Sequence, residues 1–169
     1  IANINSPPAD TPTFFHRMAA LLTMANWALA QQPRTPPALL ALGAGVGILG
    51  AFARQSAAHG KFPPHQYHAT EQSLPLVRHI QERVPGCSAA VWSFGTASLR
   101  DALKGASDTF LTEYPVVVLS HLLEHVEDYY GLLDQAWAFV RPGGFLVVAV
   151  PREEEHRTHY TRWDWGRLL

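Results

Sequence analysis

Residues 39–50, LLALGAGVGILG, constrain this chain more than any other stretch. A short apolar run meets three glycines at alternate positions, Gly43, Gly45 and Gly47, and then turns helical. A buried strand that enters such a loop and leaves as a helix N-terminus makes a nucleotide cradle. Glycine permits a sharp turn and close backbone approach, and unpaired N–H groups face polar or anionic atoms. Plain helix–strand packing uses the same glycines. Gly45, Gly47 and Gly50 also fit the dinucleotide pattern G-x-G-x-x-G of an NAD-binding oxidoreductase, with Glu71 beyond the spacing of about 20 residues usual for its ribose acid.

The rest of the chain alternates strands with helices, the signature of a parallel sheet with right-handed crossovers. Strands are expected at Ala38–Leu42, Gln66–Thr70 closing on Glu71, Ser88–Trp92, Pro115–Leu119 and Phe145–Val150. PVVVL is a β-branched run, as suits a strand buried on both faces. Helices are expected at Val46–Ala58, after a Ser73 cap with Pro75 in the first turn, and from Asp128 to Val140, where Pro142-Gly143-Gly144 stops the last. Ser93 to Lys104 reads as a mixed stretch, and Thr161 with Asp164 as the capping box of a final helix.

At 169 residues the chain suits one domain, residues 38–169, preceded by a leader and an amphipathic helix within residues 1–37. Met18–Ala30 loosely resembles a signal peptide, but Asn26 interrupts the apolar run. Phe14, Met18, Leu21, Leu22, Ala25 and Leu29 form one stripe at helical spacing, so a helix packed beside the glycine loop is expected. That segment is too short to span a bilayer. A net charge of −1 gives no general pull toward nucleic acid or anionic membrane. The lone Cys87 excludes an internal disulfide and a cysteine-based zinc site. The compartment expected is the cytoplasm.

The glycine loop, the acid closing strand two, and then YPVVVLSHLLEHVEDYYGLLDQAWAFVRPGGFLVVAVP resemble the class I S-adenosylmethionine-dependent methyltransferases. The resemblance is to the group with a Leu-Glu-His turn after strand four and Pro-Gly-Gly before strand five. Leu123-Glu124-His125 and Arg141-Pro142-Gly143-Gly144 carry it best, and it covers residues 38–169. It implies a Rossmann-like, doubly wound α/β fold with a mainly parallel sheet in the order 3-2-1-4-5. It implies methyl transfer from S-adenosylmethionine to a hydroxyl oxygen of a small-molecule or carrier-bound acceptor.

The implied cofactor residues are Gly43, Ala44, Gly45 and Gly47 under the methionine part, and Glu71 with Gln72 at the ribose. Thr96 and Ala97 fall near the adenine, and Ser120 at the exit of strand four. One carboxylate can accept from two vicinal hydroxyls, which suits Glu71. Ala41 stands where such chains carry an acid for the cofactor's ammonium, and Thr96 where they often carry an Asp. Those two departures support a rival reading, a degenerate domain used for interaction. Relatives also carry two more strands after the final helix. Strand 145–150 is therefore expected to be an apolar edge in a C-terminally incomplete chain, or one covered by another chain or the N-terminal segment.

His121-Leu-Leu-Glu124-His125 spells H-x-x-E-H, the motif of inverted zinc peptidases, which needs a continuous helix. It begins directly after PVVVL, so a turn beside the cofactor's methyl group fits better. The general-base candidates are His121 first, then His125 and His159, because imidazole titrates near neutrality. A divalent metal held by His121, Glu124 and His125 with His156 or His159 is conceivable by resemblance, and a bracing role for Glu124 and His125 is favoured over it. Glu153-Glu154-Glu155 reads as a solvated loop. Trp163, Trp165, Tyr129 and Tyr130 could line an acceptor pocket but suit core packing better.

Overall fold

The computed structural model describes residues 11–32, 37–59 and 66–150, with side chains from 16 onward in the first segment. Strand β1 (Ala38–Leu42) is the centre of a five-stranded parallel sheet. On one side lie β2 (Gln66–Glu71) and β3 (Ser88–Val91). On the other lie β4 (Tyr114–Ser120) and β5 (Val140–Ala149), giving the order β3-β2-β1-β4-β5 that the resemblance implies. The order reverses between β1 and β4, so loops leaving their carboxyl ends diverge and open a crevice.

Successive side chains of a strand point to opposite faces, and both faces here are covered. Leu39 and Ala41 of β1, with Val116 and Val118 of β4, enter a core shared with helices α1 (Thr11–Ala30), α2 (Ile48–Ala58) and α3 (Leu74–Arg83). Leu40 and Leu42, with Val117 and Leu119, enter the opposite core under α4 (Leu99–Ala106) and α5 (Tyr129–Trp137). This double burial is why β1 and β4 read as unbroken apolar runs. Each such Leu or Val contributes about 1.5–3 kcal/mol by leaving water.

Several boundaries differ from the sequence reading. The first helix begins at Thr11, inside the expected leader, and buries Met18, Leu21, Leu22, Ala25 and Leu29. The mixed stretch after β3 contains α4, whose N-cap Ser98 accepts from the Asp101 N–H at 3.1 Å. Ser73 occupies the N-cap of α3 without a side-chain capping bond. Helix α5 stops at Trp137, and Val140–Gly144 belongs to β5. Tyr114 pairs with Val140 and Val116 with Phe145, so an irregular register absorbs Pro142, Gly143 and Gly144. The expected final helix and residues 153–169 lie outside the described residues.

Strand β5 forms one side of the sheet, hydrogen-bonded to β4. Helix α1 packs across it, with the Trp27 and Phe145 rings edge to face at 5.2 Å. Past the helix end, the Gln32 amide donates to the Gly143 carbonyl and accepts from Arg141.

At the amino end of the sheet His68 and Tyr114 form a buried pair. The Tyr114 hydroxyl accepts from the Leu111 N–H at 3.0 Å and is hydrogen-bonded to His68 Nδ1 at 2.6 Å. Burial pushes the His68 pKa down to about 4. Between the ordinary value near 6.5 and about 4, the unfolded chain binds a proton that the folded chain refuses. Stability is therefore expected to fall as pH drops through that window, by at most about 3 kcal/mol from this group. Denaturant unfolding at pH 7, 5.5 and 4.5 should show the loss, and His68→Gln should flatten it. Equal slopes in both proteins would place the proton uptake elsewhere.

Candidate functional site

The loop after β1 is held at left-handed backbone angles, φ +65° at Gly43 and +56° at Gly45. A side chain at Gly43 would bring its Cβ to 2.9 Å from Leu122 Cδ1, so glycine there lets the β4 exit pack against the loop. At Gly45 nothing lies within 4 Å of that position, so the backbone presents an open face. Gly47 plays a different part. It is the N-cap of α2, and its missing side chain makes room for Ile80. The three glycines thus serve the turn, the open face and the helix start in sequence.

The loop is tied to β2. Ala44 N–H donates to the Thr70 carbonyl at 2.9 Å, and Gly45 N–H donates to Glu71 Oε2 at 3.0 Å. The other Glu71 oxygen accepts from Gln72 N–H at 2.9 Å and more weakly from Ser73 N–H at 3.4 Å. A buried carboxylate must be satisfied in this way, and its lone pairs leave room for a further donor. Two cavities meet at Gly43, Gly45, His121 and His125. One, of about 640 Å³, is walled by Glu71, Gln72, Leu76, Trp92, Ser93 and Phe94. The other, of about 480 Å³, lies between the loop, α1 and the β4 exit, walled by Arg17, Met18, Ala41, Ala44, Ser120, His121 and Glu124. Both volumes suit small-molecule sites.

Strand β4 ends abruptly. His121 has φ +52°, a left-handed angle that costs a non-glycine residue of order 1–3 kcal/mol, and its N–H is held by the Ala149 carbonyl at 2.8 Å. The chain then makes one 3₁₀ turn, Leu123–His125, closed by His125 N–H to the Leu122 carbonyl at 3.0 Å. The H-x-x-E-H residues therefore lie on a strand end and a turn, without the continuous helix that a zincin site requires. Within this turn His121 Nδ1 is 3.2 Å from Glu124 Oε1. Glu124 is 1% exposed, and its Oε2 has no partner among the described residues.

The structure thus gathers Gly43, Ala44, Gly45, Glu71, Gln72, Ser120, His121, Glu124 and His125 around the crevice. Thr96 and Ala97 line neither cavity. The Thr96 hydroxyl donates to the Ser93 carbonyl at 2.7 Å, and the Ala97 carbonyl accepts from Trp92 Nε1 at 3.0 Å. Trp92, Ser93, Phe94 and Leu76 take the wall that sequence reasoning gave to Thr96. Their signal was the aromatic pair at the end of strand three. Arg17 was missed as well, since it lies on α1 far from any motif. His156 and His159 lie outside the described residues. Among the described residues no group of three or more His, Cys, Asp or Glu side chains is placed to hold a metal ion.

A family profile described as "Methyltransferase domain" matches residues 14–168. The chain belongs to that methyltransferase-domain family. Solved structures agree at the level of fold. The plantazolicin methyltransferase BpumL, in complex with a pentazolic desmethylPZN analog and SAH, superposes with a TM-score of 0.60 at 14% identity, over 82% of this chain and 48% of that one. CalS10, a SAM-bound amino pentose methyltransferase of calicheamicin biosynthesis from Micromonospora echinaspora, gives 0.58 at 16%, over 86% and 57%. The DszA carbon methyltransferase gives 0.59 at 16%, over 83% and 36%. The chain spans about half the length of the first two of these proteins. No curated protein matches its sequence. Among the described residues of this methyltransferase domain, no helix is long and apolar enough to cross a membrane.

The strain at His121 is testable against its contact to Glu124. His121→Gly relieves the left-handed angle while adding chain entropy to the unfolded state, terms of opposite sign near 1 kcal/mol each. It also strips the buried Glu124 carboxylate of its one described donor, so stability by chemical denaturation should fall by about 1–3 kcal/mol. An unchanged or raised stability would mean that the backbone strain outweighs the imidazole's contact.

Proposed function

We propose that this domain binds S-adenosylmethionine across the two cavities and transfers its methyl group to a hydroxyl oxygen of a small-molecule or carrier-bound acceptor. One observation carries the reading. The open face of Gly45 and the buried Glu71 carboxylate are joined by a hydrogen bond where both cavities meet, at the carboxyl ends of the strands. The donor set suits the cofactor's parts. Glu71 can accept from vicinal ribose hydroxyls, and Leu76, Trp92 and Phe94 offer apolar surface to a flat base. Ala44, Gly45 and Ser120 border the second cavity, where Arg17 supplies a cation suited to a carboxylate.

When bound, the cofactor supplies an electrophilic methyl group on a sulfonium, and the bonding pair stays with sulfur as the methyl leaves. The chain's own work is alignment and proton removal. His121 borders both cavities and takes the acceptor's proton. A neutral hydroxyl must lose its proton on methylation, which suits such a base. The acceptors of structurally similar proteins vary, a carbon for DszA and an amino pentose for CalS10, so acceptor identity is the finer part of the proposal.

Calorimetry with S-adenosylmethionine and S-adenosylhomocysteine tests the reading. Wild type should bind both. Glu71→Ala should weaken binding by roughly tenfold or more, since a hydrogen bond to a charged group is worth about 1.5–3 kcal/mol. Gly45→Val should obstruct the open face. A wild-type chain that binds neither compound would favour the interaction-module reading, to which Ala41, buried in the wall of the smaller cavity without a charge, already points.

A further inference from the structure

We infer that Glu124 is a positioning residue for His121, its buried carboxylate holding the imidazole as the Nδ1–H tautomer so that Nε2 is the bare nitrogen. The catalytic consequence rests on the methyl-transfer reading, whereas the tautomer rests on geometry alone.

Three features converge on this pair. An ionised carboxylate only accepts, so a ring nitrogen 3.2 Å from Glu124 Oε1 carries the shared proton. Glu124 is 1% exposed, and with Oε2 unpartnered among the described residues the imidazole is its one described hydrogen-bond donor. A carboxylate so placed draws strongly on that donor, because burial removes the competing water. The backbone, finally, is built to bring the two together. The left-handed angle at His121 and the 3₁₀ turn at 123–125 fold Glu124 back onto the ring three residues earlier. Strain kept at a cavity wall calls for a use, and the side chain it delivers is one-third exposed, open to an acceptor.

The division of labour is that of any carboxylate–imidazole pair, in which the acid fixes the tautomer and stabilises the imidazolium without taking the proton. The proton leaves the acceptor's hydroxyl as its oxygen gains the methyl group. It arrives on Nε2 and passes from the imidazolium to solvent, while Glu124 stays ionised.

Long-range ¹H–¹⁵N correlation spectra of the ligand-free chain at alkaline pH test the tautomer, with His121→Gln assigning the signals. Wild-type His121 should show a protonated Nδ1 and a bare Nε2. A dominant Nε2–H form, which free imidazole favours in water, would overturn the inference even if no variant folds. Glu124→Met should shift the ring to that form. It should also slow carbethoxylation of His121 by diethyl pyrocarbonate several-fold, with His16 and His125 as internal references. Unchanged tautomer and unchanged reactivity in a folded Glu124→Met protein would leave Glu124 a brace of the turn. Calorimetry with S-adenosylmethionine separates the two readings. Glu124→Met should bind it within about threefold of wild type, because Glu124 is 1% exposed and its one described hydrogen bond is to the imidazole. Failure of wild type to bind it would sink the methyl-transfer reading and leave the tautomer result standing.

Discussion

The carboxylate of Glu71 is the interaction on which the carboxyl end of the sheet depends. It joins the glycine loop after β1 to the start of the segment after β2, through Gly45 on one oxygen and Gln72 on the other. Hydrogen bonds to a charged acceptor are the strong ones, and a buried carboxylate left without them would cost far more than it returns. The loop's left-handed angles are therefore fixed before any ligand arrives. A vicinal diol approaching Glu71 must share oxygens that already serve the backbone, so preorganisation is gained at the expense of contact strength. This balance suits a cofactor that is bound, converted and released in every cycle.

The far wall of the crevice follows a different logic. Its strain is local to His121, and its charge is local to Glu124, with no carboxylate on β1 to share the work because position 41 is alanine. Among the described residues the smaller cavity is lined by one guanidinium, Arg17 on α1, and one carboxylate, Glu124 in the turn after β4.

What the sequence made legible follows from which signals are local. Strand β1 was read to its exact ends because an apolar run buried on both faces meets a glycine that only a turn explains. Helix α4 was missed although Ser98 and Asp101 spell a capping pair, because eight residues are too few for periodicity to stand out. Pro142-Gly143-Gly144 were read as a helix stop and lie in a strand. A register irregularity can host proline and glycine, and nothing in the local sequence announces the partner strand that makes it. At the site, Glu71 was legible from its place at a strand end. Thr96 lines neither cavity, its hydroxyl donating to the Ser93 carbonyl, while Phe94 takes part in the wall. That choice depends on how the chain turns after β3, a tertiary fact. The His121–Glu124 contact was hidden for the same reason. A three-residue spacing suggests a helix face, whereas the contact comes from a left-handed residue followed by a single turn.

Helix α1 links these parts. Its buried stripe was visible in the sequence, but its placement spans two jobs. Arg17 and Met18 close the smaller cavity at one end, while Trp27, and Gln32 just beyond the helix, brace β5 at the other. Strand β5 in turn supplies the Ala149 carbonyl that holds the strained His121. A displacement of α1 would thus reach His121 twice, once across the cavity and once through β5. The segment before the sheet is in this sense part of the site's wall, and the strain at His121 persists because elements on both faces hold the turn in place.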